Sequence, residues 1–259
     1  MSLQFVKASA CGNDFLMIEA KNPAQDLVEL TRRLCDRHHG IGADGVEWLV
    51  AASDADIEAR LVNADGSHAE ISGNGTRCVA AYLAGSSSKT EFVIRTGAGL
   101  KTCRLISRNL PGFEFETDMG APVVGDLLTV GLSYGEVTGV PVSMGNPHYV
   151  MFVEDFDRDW QARAAAIESH RDFPNRTNVE LVRIVSPQEI EIRLYERGVG
   201  ETLSSGTGSS AAAVATIATG RGASPLRVAA PGGPQTVAWN GNVLLRGPAQ
   251  LICRGEFFG

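Results

Sequence analysis

The sequence lacks a long apolar run and an excess of basic residues. No stretch approaches the roughly 18 apolar residues that a membrane-spanning helix needs. The 259 residues include 23 Lys and Arg against 30 Asp and Glu, which gives a formal net charge of −7. No Lys/Arg-rich run offsets this acidic balance. The composition therefore argues against a nucleic-acid-binding protein and against a membrane-spanning one.

Metal-ligand spacings and hydrolase motifs are also missing. The five cysteines are scattered, and no two of them form a CxxC pair. The five histidines include no HExxH motif, and no GxSxG motif marks a nucleophilic serine. The sequence therefore predicts neither a metal site nor a serine hydrolase.

The cysteines and the first residues of the sequence indicate the cellular compartment of the protein. An odd number of scattered cysteines is typical of reduced thiols in a cytoplasmic protein. The first turns carry Lys7 and Asp14 and contain no apolar core of a secretory signal. We expect a cytoplasmic protein.

Two glycine-rich segments each run into an apolar, helix-forming segment. Ser205-Gly206-Thr207-Gly208 precedes an alanine-rich run, and Ser72-Gly73-Asn74-Gly75 precedes a similar one. Serine is a preferred helix N-cap, and glycine lets a ligand approach the backbone. Amide groups and the helix dipole make such an end favourable for an anion. The sequence predicts two helix N-termini that can each bind an anionic group.

These segments repeat at one offset. Ser72 and Ser205 are 133 positions apart, as are the turns Gly12-Asn13 and Gly145-Asn146. At the same offset Asn63 corresponds to Glu196, and Gly45 corresponds to Asn178. The repeat indicates an internal duplication, with two similar halves that offer two half-sites to one cleft.

Short strands and one long apolar helix per half predict a mixed α/β (α+β) fold. We expect an N-terminal lobe at 1–117 and a C-terminal lobe at 118–248, with a closing strand at about 249–259 that can return to the first lobe. The predicted elements include a helix at 24–37 and strands at 57–63, 91–96, 189–196, 243–246 and 250–254.

A set of ordered motifs spans nearly the whole chain and resembles the diaminopimelate epimerase family of cofactor-independent amino-acid racemases and epimerases. The motifs are Gly12-Asn13-Asp14-Phe15, Gly40-Ile41-Gly42-Ala43-Asp44, Asn63-Ala64-Asp65-Gly66-Ser67, Gly73-Asn74-Gly75, Gly145-Asn146-Pro147-His148, Tyr195-Glu196-Arg197-Gly198, Glu201-Thr202-Leu203, Gly206-Thr207-Gly208 and the closing Trp239 with Gly247-Pro248-Ala249.

The resemblance implies two pseudo-symmetric lobes, each a strand barrel around a central helix. It implies interconversion of LL- and meso-diaminopimelate in lysine biosynthesis, with a small-molecule amino-acid substrate and no cofactor. In the family, two cysteines at the helix starts remove and deliver the Cα proton on opposite faces. A homodimer is compatible with the resemblance.

The resemblance also assigns roles to residues of this chain. The substrate α-carboxylate would lie at the two helix starts, at Gly73, Asn74, Gly206 and Thr207. The reacting end would be lined by Asn13 and Asn146. The distal ammonium and carboxylate would be held by Asn63, Asn178, Glu196 and Arg197. A structural reading stands beside each role, because asparagine is common in turns and Glu196-Arg197 could be an ion pair at a strand end.

The chain departs from the family at the catalytic positions. Ser72 and Ser205 occupy the two cysteine positions, and Gly45 stands where the family usually has a larger polar residue. A cysteine at a helix N-terminus supplies thiolate near neutral pH, whereas a serine hydroxyl does not ionise there.

Three readings therefore remain open. The chain is an epimerase homologue, including a form with both cysteines engineered to serine. Alternatively it is a related isomerase that uses a carboxylate base, with Glu70 and Glu201 as candidates. The third reading is a non-catalytic amino-acid-binding protein.

Overall fold

The computed structural model describes residues 2–19, 27–133 and 135–258. The chain divides into two compact units. One comprises Met1–Thr117 and Gly247–Gly259, and the other comprises Asp118–Arg246. Within the described ranges, no helix combines the length and apolar character needed to cross a membrane.

In the part of the chain that the structure describes, each unit consists of strands and two helices. The elements up to residue 118 are β1 (Leu3–Ala10), β2 (Asn13–Glu19), α1 (Val28–Cys35), β3 (Gly45–Val50), β4 (Ile57–Asn63), β5 (His68–Ala69), α2 (Gly73–Ala84), β6 (Glu91–Thr96), β7 (Gly99–Asn109) and β8 (Gly112–Asp118). The later elements are β9 (Val123–Val124), β10 (Leu128–Leu132), β11 (Gly135–Ser143), β12 (Pro147–Phe152), α3 (Trp160–Glu168), β13 (Asn178–Ser186), β14 (Glu189–Glu196), β15 (Gly200–Thr202), α4 (Gly206–Ala218), β16 (Leu226–Ala230), β17 (Gly233–Asn240) and β18 (Asn242–Phe257).

The first unit is a closed barrel of eight strands around α2. Neighbouring strands pair in the order β1, β2, β3, β4, β6, β7, β8 and β18, and β18 pairs with β1 to close the ring. Inside it, α2 packs its alanines, Cys78 and Val79 against aromatic and aliphatic side chains of the strands. A second cluster covers the other face of β2 and β3 with Leu34 and Cys35 of α1.

The second unit repeats this plan around α4. Its strands pair in the order β11, β12, β13, β14, β16, β17 and β18. Two residues of β11 that pair with β12 also pair with β9. The chain just before β9 exchanges backbone hydrogen bonds with Val243 of β18. The alanines and Val214 of α4 fill the interior, and α3 packs outside against a separate apolar cluster.

The repeat extends to strand register. Phe15 pairs with Gly45 in the parallel β2–β3 ladder, and His148 pairs with Asn178 in the parallel β12–β13 ladder. Both pairs recur at the 133-residue offset seen in the sequence. Since the register decides which side chains share a face, equivalent positions occupy equivalent places in the two barrels. The predicted mixed α/β fold, with two similar barrels each around a central helix, is confirmed.

The structure corrects one predicted pair of elements at the end of the chain. The strands predicted at 243–246 and 250–254 are one continuous strand, β18. Gly247-Pro248 reads as a break because proline has no amide to donate. Pro248 is exposed, and β18 passes through this point while its pairing changes from β17 to β1.

The helix predicted at 24–37 is shorter in the described part of the chain. It is α1, and it covers Val28–Cys35. Residues 24–26 of the prediction lie outside the described residues.

Candidate functional site

The predicted site residues fall into two groups, one in each unit. The first half-site comprises Asn13, Asn63, Ser72, Gly73 and Asn74. The second half-site comprises Asn146, Asn178, Glu196, Arg197, Ser205, Gly206 and Thr207.

In the first half-site, Ser72 is the N-cap of α2. Its backbone is extended, with φ −123° and ψ 123°, and its Oγ accepts a hydrogen bond from the Gly75 amide at 3.0 Å. The hydroxyl thus satisfies an amide that has no carbonyl partner within the helix. The predicted helix N-terminus is therefore present, and Ser72 is its N-cap.

Asn13 and Asn74 are directly joined beside this helix start. Asn74 Nδ2 donates to Asn13 Oδ1 at 3.1 Å, and Asn13 Nδ2 donates to Asp44 Oδ2 at 2.7 Å. Asn74 Oδ1 in turn accepts from the buried guanidinium of Arg77. Because both ends of each carboxamide are used, their orientation is fixed.

A cluster of charged side chains, formed by Lys7, Asp14, Arg37 and Asp44, lies next to Asn13. Asp14 accepts from Arg37 and lies 2.8 Å from Lys7 Nζ, and the same Arg37 guanidinium bonds Asp44. Burial opposes ionisation of Asp14, but the hydrogen bonds from Arg37 and Lys7 lower its pKa to about 2. Asp14 therefore stays ionised at neutral pH, and its bonds to Lys7 and Arg37 hold the β1–β2 turn.

Asn63 is held separately from the other members of its half-site. Its Nδ2 donates to Ser67 Oγ at 3.0 Å, and its amide donates to the Ser67 carbonyl. Gly45 pairs with Asn63 across β3 and β4, and a Cβ on Gly45 would lie 2.9 Å from the Val62 carbonyl oxygen. The glycine thus permits a close approach of the strands, and the space beside it is not open.

In the second half-site, Ser205 caps α4 in the same way. It is extended, with φ −140° and ψ 130°, and its Oγ accepts from the Gly208 amide at 3.2 Å. Asn146 Nδ2 donates to Thr207 Oγ1 at 3.4 Å, and Thr207 Oγ1 lies 3.5 Å from Ser205 Oγ. Asn146–Thr207 is the counterpart of Asn13–Asn74 in the first unit.

A buried histidine–glutamate pair extends this second network. His148 Nδ1 lies 2.7 Å from Glu180 Oε1, and its Nε2 lies 3.0 Å from Asn146 Oδ1. The two ring nitrogens of His148 thus join Asn146 to Glu180. Burial raises the pKa of Glu180, and the His148 ring beside it lowers it. Oε2 of Glu180 is buried with no hydrogen-bond partner.

The residues predicted to hold the distal end of the substrate are arranged differently. Asn178 Nδ2 donates to the Pro147 carbonyl at 2.8 Å, and its Oδ1 accepts from the Arg197 amide at 3.0 Å. The Arg197 side chain is exposed and donates to the Asn175 carbonyl. Glu196 is half-buried near Glu180, whose pKa it raises. The Asn178 carboxamide thus links the backbone at Pro147 to the backbone at Arg197.

Two buried glutamates beside the helix starts were not singled out from the sequence. Glu47 of β3 lies against Gly75 of α2, and Glu180 of β13 lies against Gly208 of α4. Burial raises the pKa of Glu47 to about 8. These positions are also 133 residues apart, so the offset could have found them.

The carboxylates proposed from the sequence as alternative bases are exposed. Glu70 lies on the surface, and exposed Glu201 accepts from Gln161 Nε2 at 3.2 Å. Cys78 is fully buried within α2, where burial raises the pKa of its thiol, so it does not supply a thiolate. In the described ranges, no three His, Cys, Asp or Glu side chains are placed to hold a metal ion.

Solved structures of other proteins share this fold. The chain superposes on a Bacillus anthracis phenazine biosynthesis protein of the PhzF family with a TM-score of 0.77 at 15% identity, covering 100% of both chains. It superposes on a hydroxyproline epimerase from Agrobacterium vitis with a TM-score of 0.76 at 17% identity, covering 99% of this chain and 91% of that one. At these identities the likeness concerns the fold alone.

Sequence comparison is more specific. A family model for diaminopimelate epimerase matches residues 5–124 and 140–252. The chain is 37% identical to the diaminopimelate epimerase of Pelotomaculum thermopropionicum over 279 residues, covering 98% of this chain and 99% of the relative. It is 39% identical to that of Desulforudis audaxviator over 281 residues, covering 98% and 99%. Because the family model and these relatives match nearly the full length of the chain, the chain belongs to the diaminopimelate epimerase family.

Proposed function

We propose that this protein is a diaminopimelate epimerase-like isomerase that binds diaminopimelate and acts at its Cα, with proton transfer weakened by Ser72 and Ser205. The observation that carries the proposal is the recurrence of one polar arrangement at two helix starts, in a chain of this family. Each helix start has a capping serine and an asparagine hydrogen-bonded to the second residue of the helix.

The helix starts suit the α-carboxylate of an amino acid. Their amide groups and the positive ends of the helix dipoles attract an anion. When the Cα proton leaves, negative charge spreads from Cα into this carboxylate. Donors already aimed at the carboxylate stabilise that charge without reorganising, so they lower the barrier to proton removal.

The distal half of diaminopimelate is a second zwitterion, and Glu196 and Arg197 supply charges of both signs. A guanidinium suits a planar carboxylate, and a carboxylate suits an ammonium group. Alanine lacks this second end. Diaminopimelate should therefore bind more tightly than alanine.

The serines are the weak point of the chemistry. A thiol near pKa 8.5, lowered at a helix N-terminus, is partly thiolate at neutral pH, whereas a serine hydroxyl is not ionised there. A well-placed proton-transfer group typically contributes a factor of about 10²–10⁴ in rate. Because inversion at Cα needs one group on each face, losing both thiols should slow it severely.

The test combines binding with proton exchange. We expect calorimetry to show tighter binding of LL- or meso-diaminopimelate than of alanine. At pH 7 in heavy water, NMR should show very slow Cα deuteration by the native chain and recovery in the double variant Ser72→Cys/Ser205→Cys. Either single variant should recover little inversion, since the two groups act as a unit.

Two outcomes would contradict the proposal. Equal binding of diaminopimelate and alanine would point to a different substrate. Binding without any gain of exchange in the double cysteine variant would favour a non-catalytic amino-acid-binding protein, the second candidate, which the two serines support.

A cytoplasmic location and a homodimer complete the proposal. The location is supported by the five free cysteines, one of which, Cys253, is exposed. Free thiols on the surface persist in a reducing compartment. The homodimer is a prediction that light scattering of the purified chain would check.

A further inference from the structure

Glu47 borders the same small volume as the capping serine of the first half-site. A Cβ built on Gly75 would lie 2.2 Å from Glu47 Oε1 and 3.2 Å from the Ser72 Cβ. The carboxylate and the serine side chain therefore both adjoin the place that a Cβ on Gly75 would occupy, in the first turn of α2. Glu47 is only 3% exposed, whereas Ser72 is half-buried and can reach water.

The second unit shows that a carboxylate recurs at this place. A Cβ on Gly208 would lie 2.9 Å from Glu180 Oε1 and 3.1 Å from the Ser205 Cβ. Glu180 is bonded to His148, but the position equivalent to His148 in the first unit is Phe15. The first half-site therefore has a phenylalanine at the position of the histidine that bonds the buried glutamate of the second half-site.

We propose that Glu47 takes up the Cα proton in the first half-site by acting through the Ser72 hydroxyl, in place of the family's thiolate. This inference rests on the proposed function, because it assumes that an amino-acid Cα lies at Ser72. Glu47 does not touch the substrate, and its role is that of a positioned proton acceptor behind the serine.

The step is balanced on these groups. The Cα–H bond breaks, and its electron pair stays on Cα and spreads into the α-carboxylate. The proton goes to Ser72 Oγ while the hydroxyl proton of Ser72 passes to the Glu47 carboxylate. A hydroxyl has one donor and two acceptor positions, so Ser72 can still accept from the Gly75 amide during this transfer. Reversal after exchange with heavy water places deuterium on the same face of Cα.

The basicity of Glu47 matches this role. Burial is the cause that raises its pKa to about 8, close to the ordinary value of about 8.5 for a cysteine thiol. An ionised Glu47 is thus about as strong a base as the missing thiolate. At pH 7 only a minor fraction is ionised, so exchange should be slower at pH 7 than at pH 9.

The other titratable groups of this interior do not replace Glu47. Cys78 and Arg77 lie on α2, Cys11 lies in the β1–β2 turn, and Asp14 lies on β2. The pKa of Cys78 is affected by Arg77, Cys11 and Asp14 as well as by Glu47. Burial raises the pKa of Cys78 and keeps its thiol protonated. Asp14, with a pKa of about 2, is too weak a base.

The experiment measures Cα deuteration of diaminopimelate by the native chain and by Glu47→Gln, from pH about 6 to about 10, with calorimetry on the same samples. Native exchange should rise about tenfold per pH unit and level off above about pH 8, as ionisation of one group requires. Glu47→Gln should lower exchange at pH 9 by about 10²-fold or more and remove the plateau, with binding changed less than about twofold.

Controls separate this role from a structural one. Glu91→Gln makes the same chemical change at an exposed residue of β6 and should leave the profile unchanged. Glu47→Asp keeps a carboxylate and should retain part of the pH-dependent exchange. The thermal midpoint of each variant shows whether it is folded.

The outcomes distinguish the two proposals. Absence of binding by the native chain would refute the proposed function. Normal binding with a Glu47→Gln profile equal to the native one, or with native exchange no faster than that of free diaminopimelate at every pH, would overturn the role of Glu47. Loss of exchange in Glu70→Gln with retention in Glu47→Gln would do the same.

Discussion

Ser72 and Ser205 stand where the family has its two reactive thiols, and in this protein both hydroxyls accept a helix amide. A hydroxyl is a good N-cap but a poor base at neutral pH. The exchange of thiol for hydroxyl therefore keeps the helix starts in place while it removes the ionisable group. Any remaining basicity has to come from a neighbouring side chain.

Ionisation of Glu47 is coupled to folding. Its pKa is raised in the folded chain, so the native state holds the proton more tightly than the unfolded chain does. The stabilisation from the bound proton is complete below the ordinary glutamate pKa of about 4.5 and is lost as pH rises to about 8.

We expect Glu47→Gln to become relatively more stable as pH rises. Between pH about 5 and about 9, the difference in unfolding free energy should shift in favour of the variant by roughly 2–4 kcal/mol. Urea unfolding of both chains at several pH values measures it, and other titrating groups cancel in the difference. A difference that stays constant with pH would show that Glu47 titrates normally.

At the scale of elements, α2 and α4 carry both the cores and the half-sites. Each is surrounded by its barrel and buries an alanine-rich surface. Each begins at its capping serine, so the position of that serine depends on the packing of the whole helix. Core packing and site geometry are therefore linked through one element in each unit.

Replacing the caps should lower stability without unfolding the helices. We expect Ser72→Ala and Ser205→Ala each to lower the unfolding free energy by about 1 kcal/mol, because each leaves an amide of the first turn without its acceptor. Denaturant unfolding followed by circular dichroism measures this. Ser88→Ala, at a loop position, is the matched control, and equal effects at all three positions would argue against the caps.

At the scale of the whole molecule, the two units differ in how the chain forms them. The second unit is continuous, whereas the first needs Gly247–Gly259 to return to it. The end of β18 pairs with β1 and completes the ring of eight strands. The first barrel is therefore closed by the last segment of the chain.

Deleting Gly247–Gly259 should unfold the first unit selectively. The deletion leaves β1 and β8 as open edges and exposes the apolar interior around α2, while the pairs within the second unit remain. Hydrogen exchange read by mass spectrometry should show loss of protection in peptides of β2 to β4 and retention in β12 to β14. Retained protection in both sets would contradict this dependence.

The sequence by itself determined the features that depend on local patterns. Strands β4, β6 and β14 have the predicted bounds, because alternating side chains and flanking turn residues specify them locally. Both helix starts follow from a serine and glycines before an apolar run, and the 133-residue offset predicted that the halves are alike. Family membership followed from ordered motifs, each readable without a structure.

Only the tertiary structure decided which side chains meet. Glu47 and Glu180 lie inside strands, where a glutamate ordinarily faces water, and nothing local indicates that a helix glycine covers them. Their burial, and the raised pKa of each, results from packing a helix inside a barrel. The continuity of β18 likewise depends on partners far apart in the chain, since the local Gly-Pro pattern predicts a break and long-range pairing overrides it.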